Sequence, residues 1–209
     1  MEIKNRRHYK RLTGSISPFE LLELINIKKI NLEPSGVDEI YPNMLGLDQS
    51  YNEFASFYDC YQLEWDSVTP SNEQGLINIQ SYQNVTANQK NLVYFDHTPE
   101  DSPLRDFHIV DFFVDEACVG IYSNHPELKG MHFFEFENNT YPLNVDFEGY
   151  MRLLGETKGF LYWQKVILEY LEGREGPTTI NFKEKMPQIF PDFSWDAFVA
   201  LYEEVRIDK

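Results

Sequence analysis

Cysteine and long apolar runs are both scarce in this sequence. Cys60 and Cys118 are the only two cysteines, and neither belongs to a C-x-x-C motif of the kind that binds zinc or exchanges disulfides. We therefore predict two buried free thiols and no disulfide framework. No apolar run approaches the roughly 20 residues that span a bilayer, and the basic N-terminal segment lacks the apolar stretch of a secretory signal. These absences predict a cytoplasmic protein that does not enter a membrane.

Sequence motifs for catalysis and for phosphate binding are also missing. The chain contains no G-x-S-x-G, no Walker A motif, no G-x-G-x-x-G and no H-E-x-x-H. Asp96, His97 and Asp101 have the chemistry to hold a metal ion or a general base, but a polar loop at the end of a strand explains them more simply. We therefore predict no catalytic residue, no metal and no cofactor. A metal-dependent enzyme with an ion near His97 or His108 is kept as an alternative.

Basic residues are few, with 18 Lys and Arg against 34 Asp and Glu, and the net charge is −16. Residues 1–11 nevertheless carry five basic side chains and one acidic one, so the rest of the chain has a net charge of −20. We therefore separate residues 1–16 as a basic N-terminal arm. A field of this sign repels nucleic acid and anionic lipid and attracts cationic proteins. It predicts a basic protein partner, with no nucleic acid and no membrane; acids that serve only solubility are the alternative.

Short apolar runs bounded by turn residues are abundant. A capping box at Ser17 predicts a helix within residues 15–30, SISPFELLELINIKKI, and helical spacing of aromatic residues predicts a second helix from Asp48 to Tyr61. Five strand-length runs rich in β-branched and aromatic residues follow, over 75–82, 91–95, 107–115, 118–124 and 131–137. The predicted fold class is therefore α+β, with a central antiparallel or mixed sheet of about five to six strands covered by helices.

Residues 145–164, VDFEGYMRLLGETKGFLYWQ, combine large rings with glycines. Their apolar side chains follow helical spacing before Gly155 and again after Gly159, but the two stripes are out of phase. One straight helix cannot place both stripes on the same face. We therefore predict two helices with a bend at these glycines, the first capped by Asn144 or Asp146.

The C-terminal region predicts a loop followed by two more short helices, NFKEKMPQIF and SWDAFVALYEEV. Such a helical pair is too small to fold alone, so we expect it to pack on the main body. The predicted organisation is one α+β domain over residues 17–171 and a helical extension over 172–209.

Three segments resemble the SUKH superfamily, whose members are similar to the yeast Smi/Knr regulators of cell-wall synthesis. YNEFASFYDCYQLEW (51–65) resembles the family's aromatic helix that leads into a strand containing Trp, and GLINIQSYQNV (75–85) resembles the strand and turn that follow. YPLNVDFEGYMRLLGETKGFLYWQ (141–164) is similar to the ending of the bacterial members, where an Asp-Phe-x-x-Tyr helix start precedes a Gly-Phe-Leu-Tyr-Trp-Gln helix. The resemblance implies an α+β domain with a central sheet and packed helices.

Most bacterial members of this superfamily are inferred to be immunity proteins that bind and neutralise protein toxins, many of them nucleases. The resemblance therefore implies non-enzymatic, stoichiometric binding to a toxin, and the acidic charge agrees with a cationic nuclease as partner. A regulatory or scaffolding module like the yeast relatives is the alternative. We expect a monomer whose binding face combines acids with rings near strand ends. The candidate contact residues are Glu64, Trp65, Asp66, Asp96, Asp111 and Asp115.

Overall fold

The structure, a computed structural model, describes residues 8, 25–35, 47–68, 72–135 and 139–209. These residues form a seven-stranded antiparallel sheet and six α-helices, which confirms the predicted α+β class with more strands than expected. In chain order the elements are β1 Ile25–Pro34, α1 Gln49–Phe57, β2 Tyr58–Ser67, β3 Gln74–Ile79, α2 Tyr82–Thr86, β4 Phe107–Val114, β5 Ala117–Tyr122, β6 His132–Glu135, β7 Thr140–Pro142, α3 Phe147–Thr157, α4 Trp163–Leu171, α5 Pro177–Ile189 and α6 Trp195–Val205.

The sheet is a meander, because its strands neighbour one another in chain order and every neighbouring pair is antiparallel. Pairing is weakest between β3 and β4, which share the single register pair Ile79 and Asp111. Near the start of β3, Leu76 donates a backbone hydrogen bond of 2.8 Å to the segment 159–161, and Gln74 accepts one of 2.9 Å from it. The connection between α3 and α4 therefore lies along β3 where β4 does not reach.

Strand β1 corrects the helix predicted over residues 15–30. Its residues pair with β2 from end to end, so residues 25–30 of the predicted helix are extended chain. The first part of that helix, residues 15–24, lies outside the described residues. The physical reason is that β-branched side chains such as Ile27, which lies opposite Trp65, fit a pleated surface and find a partner strand there. Helix propensity is a weak preference that such tertiary pairing overrides.

Two other boundaries also differ from the prediction. The helix predicted to reach Tyr61 ends at Phe57, because the following residues pair with β1 as strand β2. Residues 91–95, predicted as a strand, form a turn in which Asn91 has a left-handed φ of +67°. The four remaining predicted strands overlap β3, β4, β5 and β6, and residues 136 and 137 at the end of the last one lie outside the described residues.

Two hydrophobic cores lie on opposite faces of the sheet. The larger core joins the helices to one face and contains Trp65, Tyr150 and Trp163 as fully buried side chains. The smaller core lies under residues 87–106, which cover the other face of β4–β6 and pack around the buried Phe107. On that same side, no described element covers strands β1–β3. Among the described residues, therefore, the sheet is covered on both faces over only half of its width.

The stretch 145–164 forms the predicted pair of helices, α3 and α4, with a bend between them. Asp146 caps α3, since its Oδ1 accepts a hydrogen bond of 2.7 Å from a backbone N–H in the first turn. The helix ends where Lys158 and Gly159 adopt left-handed backbone conformations, with φ of +54° and +69°. Trp65 Nε1 donates a hydrogen bond of 2.7 Å to the Lys158 carbonyl. The bend is therefore held against strand β2.

The C-terminal helices α5 and α6 share the larger core with the sheet. Phe182 of α5 packs on Phe160 with ring centroids 5.4 Å apart, and Phe190 packs on Trp65 with ring centroids 5.2 Å apart. In α6, the hydroxyl of Tyr202 donates a hydrogen bond of 3.2 Å to a backbone carbonyl in the segment before α3. These contacts place the C-terminal helices in the same folded body as the sheet.

Helix α5 begins with Gly176 at its cap position, so it has no capping side chain of its own. Glu169 of α4 supplies the acceptor, because its Oε2 accepts hydrogen bonds from Thr179 N at 2.8 Å and from Thr179 Oγ1 at 2.6 Å. Glu169→Ala leaves these two buried donors without an acceptor. We expect it to lower the free energy of unfolding by about 2 kcal/mol. Urea unfolding followed by circular dichroism measures this loss.

Glu172→Ala is the matched control for this prediction. Glu172 pairs with Arg174 on the surface and does not contact the start of α5. Because an exposed ion pair contributes little, we expect its removal to change the free energy of unfolding by less than about 0.5 kcal/mol. Equal losses from the two variants would contradict the capping role of Glu169.

Candidate functional site

The half of the sheet that no described element covers presents a polar surface, which we call the outer face and define by Asn31, Gln62, Glu64, Asp66 and Asn78. The four members on β2 and β3 alternate along their strands with buried side chains, as the pleat requires. Gln62 Nε2 donates to Asn78 Oδ1 over 2.8 Å, and Asn78 Nδ2 donates to the carbonyl of Phe112 over 2.8 Å. A row of amide groups therefore crosses the sheet from β2 to β4.

Two of the predicted contact residues, Glu64 and Asp66, lie together on the outer face. They occupy alternate positions of β2 and are both partly exposed. Lys28 of β1 lies between them, with its Nζ 2.6 Å from Asp66 Oδ2 and 4.0 Å from Glu64 Oε1. The hydrogen bond to Asp66 raises the pKa of Lys28. The local negative charge is therefore partly neutralised within the protein.

The prediction that Trp65 and Asp111 are surface contact residues is wrong. Both are 0% exposed, so neither reaches a partner that docks on the folded chain. Trp65 points into the larger core because it lies one position from Glu64, and adjacent residues of a strand face opposite sides. The alternation in the sequence LEWDS carries this signal. For Asp111 the sequence carries no comparable signal, since it lies among apolar residues on a strand that is buried on both faces.

The buried Asp111 lies at the narrow junction between β3 and β4. Its Oδ1 accepts a hydrogen bond of 2.8 Å from Asn78 N, and its Oδ2 accepts one of 2.7 Å from the Tyr150 hydroxyl. Gln164 Nε2 in turn donates to that hydroxyl over 3.1 Å. Burial raises the pKa of Asp111 to about 6, against the lowering effect of the two hydrogen bonds. The carboxyl group therefore replaces a missing strand–strand contact inside the core.

The last two predicted contact residues, Asp96 and Asp115, are on the surface but on other elements. Asp96 belongs to the loop 87–106, where its carboxylate is 85% exposed and lies 2.6 Å from Lys90 Nζ. Asp115 lies in the turn between β4 and β5. The six predicted residues therefore occupy two interior positions, the outer face, a loop and a hairpin turn. Only Glu64 and Asp66 are neighbours on one surface.

The loop 87–106 carries an exposed aromatic ring that the sequence prediction missed. Phe95 is 42% exposed and stacks nearly parallel on His97, with ring centroids 5.7 Å apart. Its N–H donates to Thr98 Oγ1 over 3.0 Å, and its carbonyl accepts from Thr98 N over 3.0 Å. Arg105 fixes the base of this turn by donating from Nη2 to the Thr98 carbonyl over 2.6 Å. The ring is thus presented on a closed, hydrogen-bonded turn.

A cleft of about 210 Å³ separates this loop from α2. Leu92, Ile109 and Phe112 form its apolar lining. The remaining lining residues are small or carry amides: Gln80, Asn84, Ala87, Asn88 and Gln89. Because Leu92 is also exposed at the surface, the cleft is continuous with the loop that presents the aromatic ring.

A larger cleft of about 510 Å³ lies beside the loop after β5. His125 at its edge contacts Glu127 Oε1 at 3.0 Å and Asp106 Oδ2 at 3.1 Å. These hydrogen bonds, with that to Glu127 the larger effect, raise the pKa of His125. Asp48 and Asp146, which also line the cleft, are the caps of α1 and α3. His125, Asp48 and Asp146 therefore already have structural partners.

The histidines considered as metal ligands have other contacts. His108 is buried, with Nδ1 2.8 Å from the Val85 carbonyl and Nε2 3.0 Å from Ser123 Oγ, and burial lowers its pKa. His97 stacks on Phe95, as described above. Within the described ranges, no three His, Cys, Asp or Glu side chains are grouped as metal ligands. Nor does any helix in the described part of the chain have the length and apolar character to cross a membrane.

These features define an α+β domain built on an antiparallel meander, with helices over one face and a long loop over half of the other. Comparison with protein-family models, characterised proteins and solved structures finds no match for the chain. The resemblance to SUKH domains therefore stays a prediction from the segments 51–65, 75–85 and 141–164. In the structure the first segment is a helix that leads into the strand containing Trp65, and the third contains the two helices α3 and α4.

Proposed function

We propose that this chain is a non-enzymatic protein-binding domain, an immunity protein that neutralises a basic toxin by stoichiometric binding in the cytoplasm. The observation that carries the proposal is the outer face, an accessible polar sheet surface on which Glu64 and Asp66 lie side by side. The net charge of −20 outside the basic arm supports a cationic partner. A toxin that cleaves nucleic acid must present cationic groups to phosphate, and a bound acidic domain would block that surface.

The second candidate function is a regulatory or scaffolding module for a partner that is not strongly basic. The row of uncharged amides through Gln62 and Asn78 favours it, since amides recognise hydrogen-bonding groups without regard to net charge. Salt dependence separates the two candidates. Association with a basic toxin slows steeply as ionic strength rises, whereas amide-based recognition changes little.

Glu64→Lys combined with Asp66→Lys tests the immunity function. The protein encoded by the neighbouring gene, purified as the candidate toxin, is the binding probe, and survival of cells that co-express the two proteins is the second readout. Charge reversal places three cations on one patch of the outer face, because Lys28 is already there. We expect the dissociation constant to rise by at least about tenfold and protection to be lost.

The matched control reverses Glu172 and Glu175 to Lys. Both are exposed and each pairs with a cation, as Glu64 and Asp66 do, but they lie in the connection between α4 and α5. The control changes the net charge by the same amount and should leave protection intact. If both double variants protect cells as well as the parent chain, binding through the outer face is refuted.

A further inference from the structure

The loop 87–106 joins β3 and β4 through α2 and contains little regular secondary structure beyond a single 3-10 turn. Long irregular loops in compact domains are usually functional or disordered, and here the contacts of the loop exclude disorder. Val93 and Tyr94 are buried in the smaller core, which anchors the middle of the loop to the sheet. Leu92 and Phe95, on either side of them, remain exposed. The loop therefore buries its centre and presents apolar groups at both flanks.

We propose that this loop is the docking element of the domain and that Phe95 is its anchor, inserted into an apolar pocket of a cationic protein. The inference rests on the proposed function and specifies where the partner binds. An exposed ring is a good anchor when its position is fixed before binding, because little conformational entropy is then lost. The stacked His97 and the hydrogen bonds to Thr98 fix the ring, and Arg105 holds the turn beneath it.

Charge identifies the kind of partner. Glu100 and Asp101 follow Phe95 in the same loop and have no ion pair with any residue that the structure describes. Arg105, the nearest basic residue in sequence, directs its Nη2 and Nε donors to the backbone carbonyls of Thr98 and Pro99. The two carboxylates are therefore not neutralised within the loop. A cationic rim around an apolar pocket complements this arrangement of a ring beside free acids.

The cleft beside Leu92 extends the same surface. Its volume of about 210 Å³ and its lining of Ile109 and Phe112 suit one apolar side chain of the partner. The amide groups at its edge can hydrogen-bond to the partner backbone. The loop thus combines a projecting ring with a neighbouring recess, and each contributes to the shape complementarity of the docked pair.

Phe95→Ala tests the inference, with the purified basic protein encoded by the neighbouring gene as the probe. We expect the dissociation constant to rise by at least about 30-fold, the effect of removing a central aromatic anchor. Ile180→Ala is the control, because Ile180 is comparably exposed but lies on α5; it should leave the dissociation constant within about twofold. Both variants should keep the melting temperature of the parent chain, since neither side chain is buried.

Two further results separate the docking surface from the function. Hydrogen exchange in the complex should slow for residues 91–101 and stay unchanged for residues 177–189. If Phe95→Ala binds as tightly as the parent while the charge reversal of Glu64 and Asp66 weakens binding, the docking element is refuted and the proposed function stands. If the parent chain does not bind the probe at all, both the function and the docking element are refuted.

Discussion

Gly159→Ala is expected to lower the free energy of unfolding by about 3 kcal/mol, through left-handed backbone strain and overpacking together. Gly159 has a φ of +69°, and a Cβ placed on it would lie 2.5 Å from Ile77 Cγ1 and 3.1 Å from the Leu76 carbonyl oxygen. The neighbouring strand cannot move away, because Leu76 N is hydrogen-bonded to the Gly159 carbonyl over 2.8 Å. Urea unfolding followed by tryptophan fluorescence measures the loss.

Gly173→Ala isolates the contribution of close packing. Gly173 has nearly the same conformation, with a φ of +67°, but no atom lies within 4 Å of the position its Cβ would take. Only the left-handed strain remains, so we expect a loss of about 1 kcal/mol. If the two alanine variants are equally stable, the approach of the α3–α4 connection to β3 does not constrain the fold.

The second large effect concerns the pH dependence of stability, which Asp111 is expected to dominate between about pH 4 and pH 6. Burial raises its pKa to about 6 in the folded protein, whereas an unfolded Asp titrates near 3.9. Between these values the folded state keeps a proton that the unfolded state has lost, so stability falls as pH rises. Asp111 lowers the free energy of unfolding by about 3 kcal/mol in total over this range. The loss is complete above pH 6 and absent below pH 4.

Asp111→Asn removes this titration while keeping a side chain of the same shape. The difference in free energy of unfolding between parent and variant should change by about 3 kcal/mol from pH 4 to pH 7, in favour of the variant at the higher pH. Taking the difference cancels the other carboxylates, which titrate in both proteins. A difference that does not change with pH would show that Asp111 is ionised in the folded state throughout this range.

Tyr150→Phe should move the same transition in the opposite direction. The Tyr150 hydroxyl donates to Asp111 Oδ2 and thereby lowers the pKa of the carboxyl group. Its removal raises that pKa further, so the fall in stability should extend to higher pH. The shift is measured from the pH at which the free energy of unfolding falls. Any loss of stability that is the same at every pH, caused by the missing hydroxyl, does not affect this midpoint.

Local signals made the pair of helices α3 and α4 predictable. Asp146 at the first cap and glycine at the bend act within a few residues of the structures they specify. Strand β1 was not predictable in this way, since its extended conformation depends on pairing with β2, more than 20 residues further along. The start of β3, which β4 does not reach, depends on a still more distant part of the chain, because residues 159–161 hydrogen-bond to it.

The candidate site shows the same limit. Glu64 and Asp66 were predicted, together with Trp65, as acids and rings near strand ends, whereas the alternation along β2 separates them by assigning Trp65 to the core. Phe95 was missed because its apolar neighbours resemble a strand, while its exposure depends on a turn that Arg105 holds from ten residues away. Exposure of a ring is a property of tertiary contacts, which composition and spacing do not encode.

Residues 159–161 are synthesised long after β3, to which they hydrogen-bond in the folded chain. Until that segment emerges, the backbone of Gln74 and Leu76 lacks the hydrogen-bonding neighbour it has in the finished protein. A nascent chain with such an open edge is prone to pair with other chains. Strand β1, which is at the margin of the sheet, carries Lys28, Lys29 and Pro34, residues that discourage this pairing. Protection of the growing polypeptide is therefore built into β1 from the start and reaches the open part of β3 only late in synthesis.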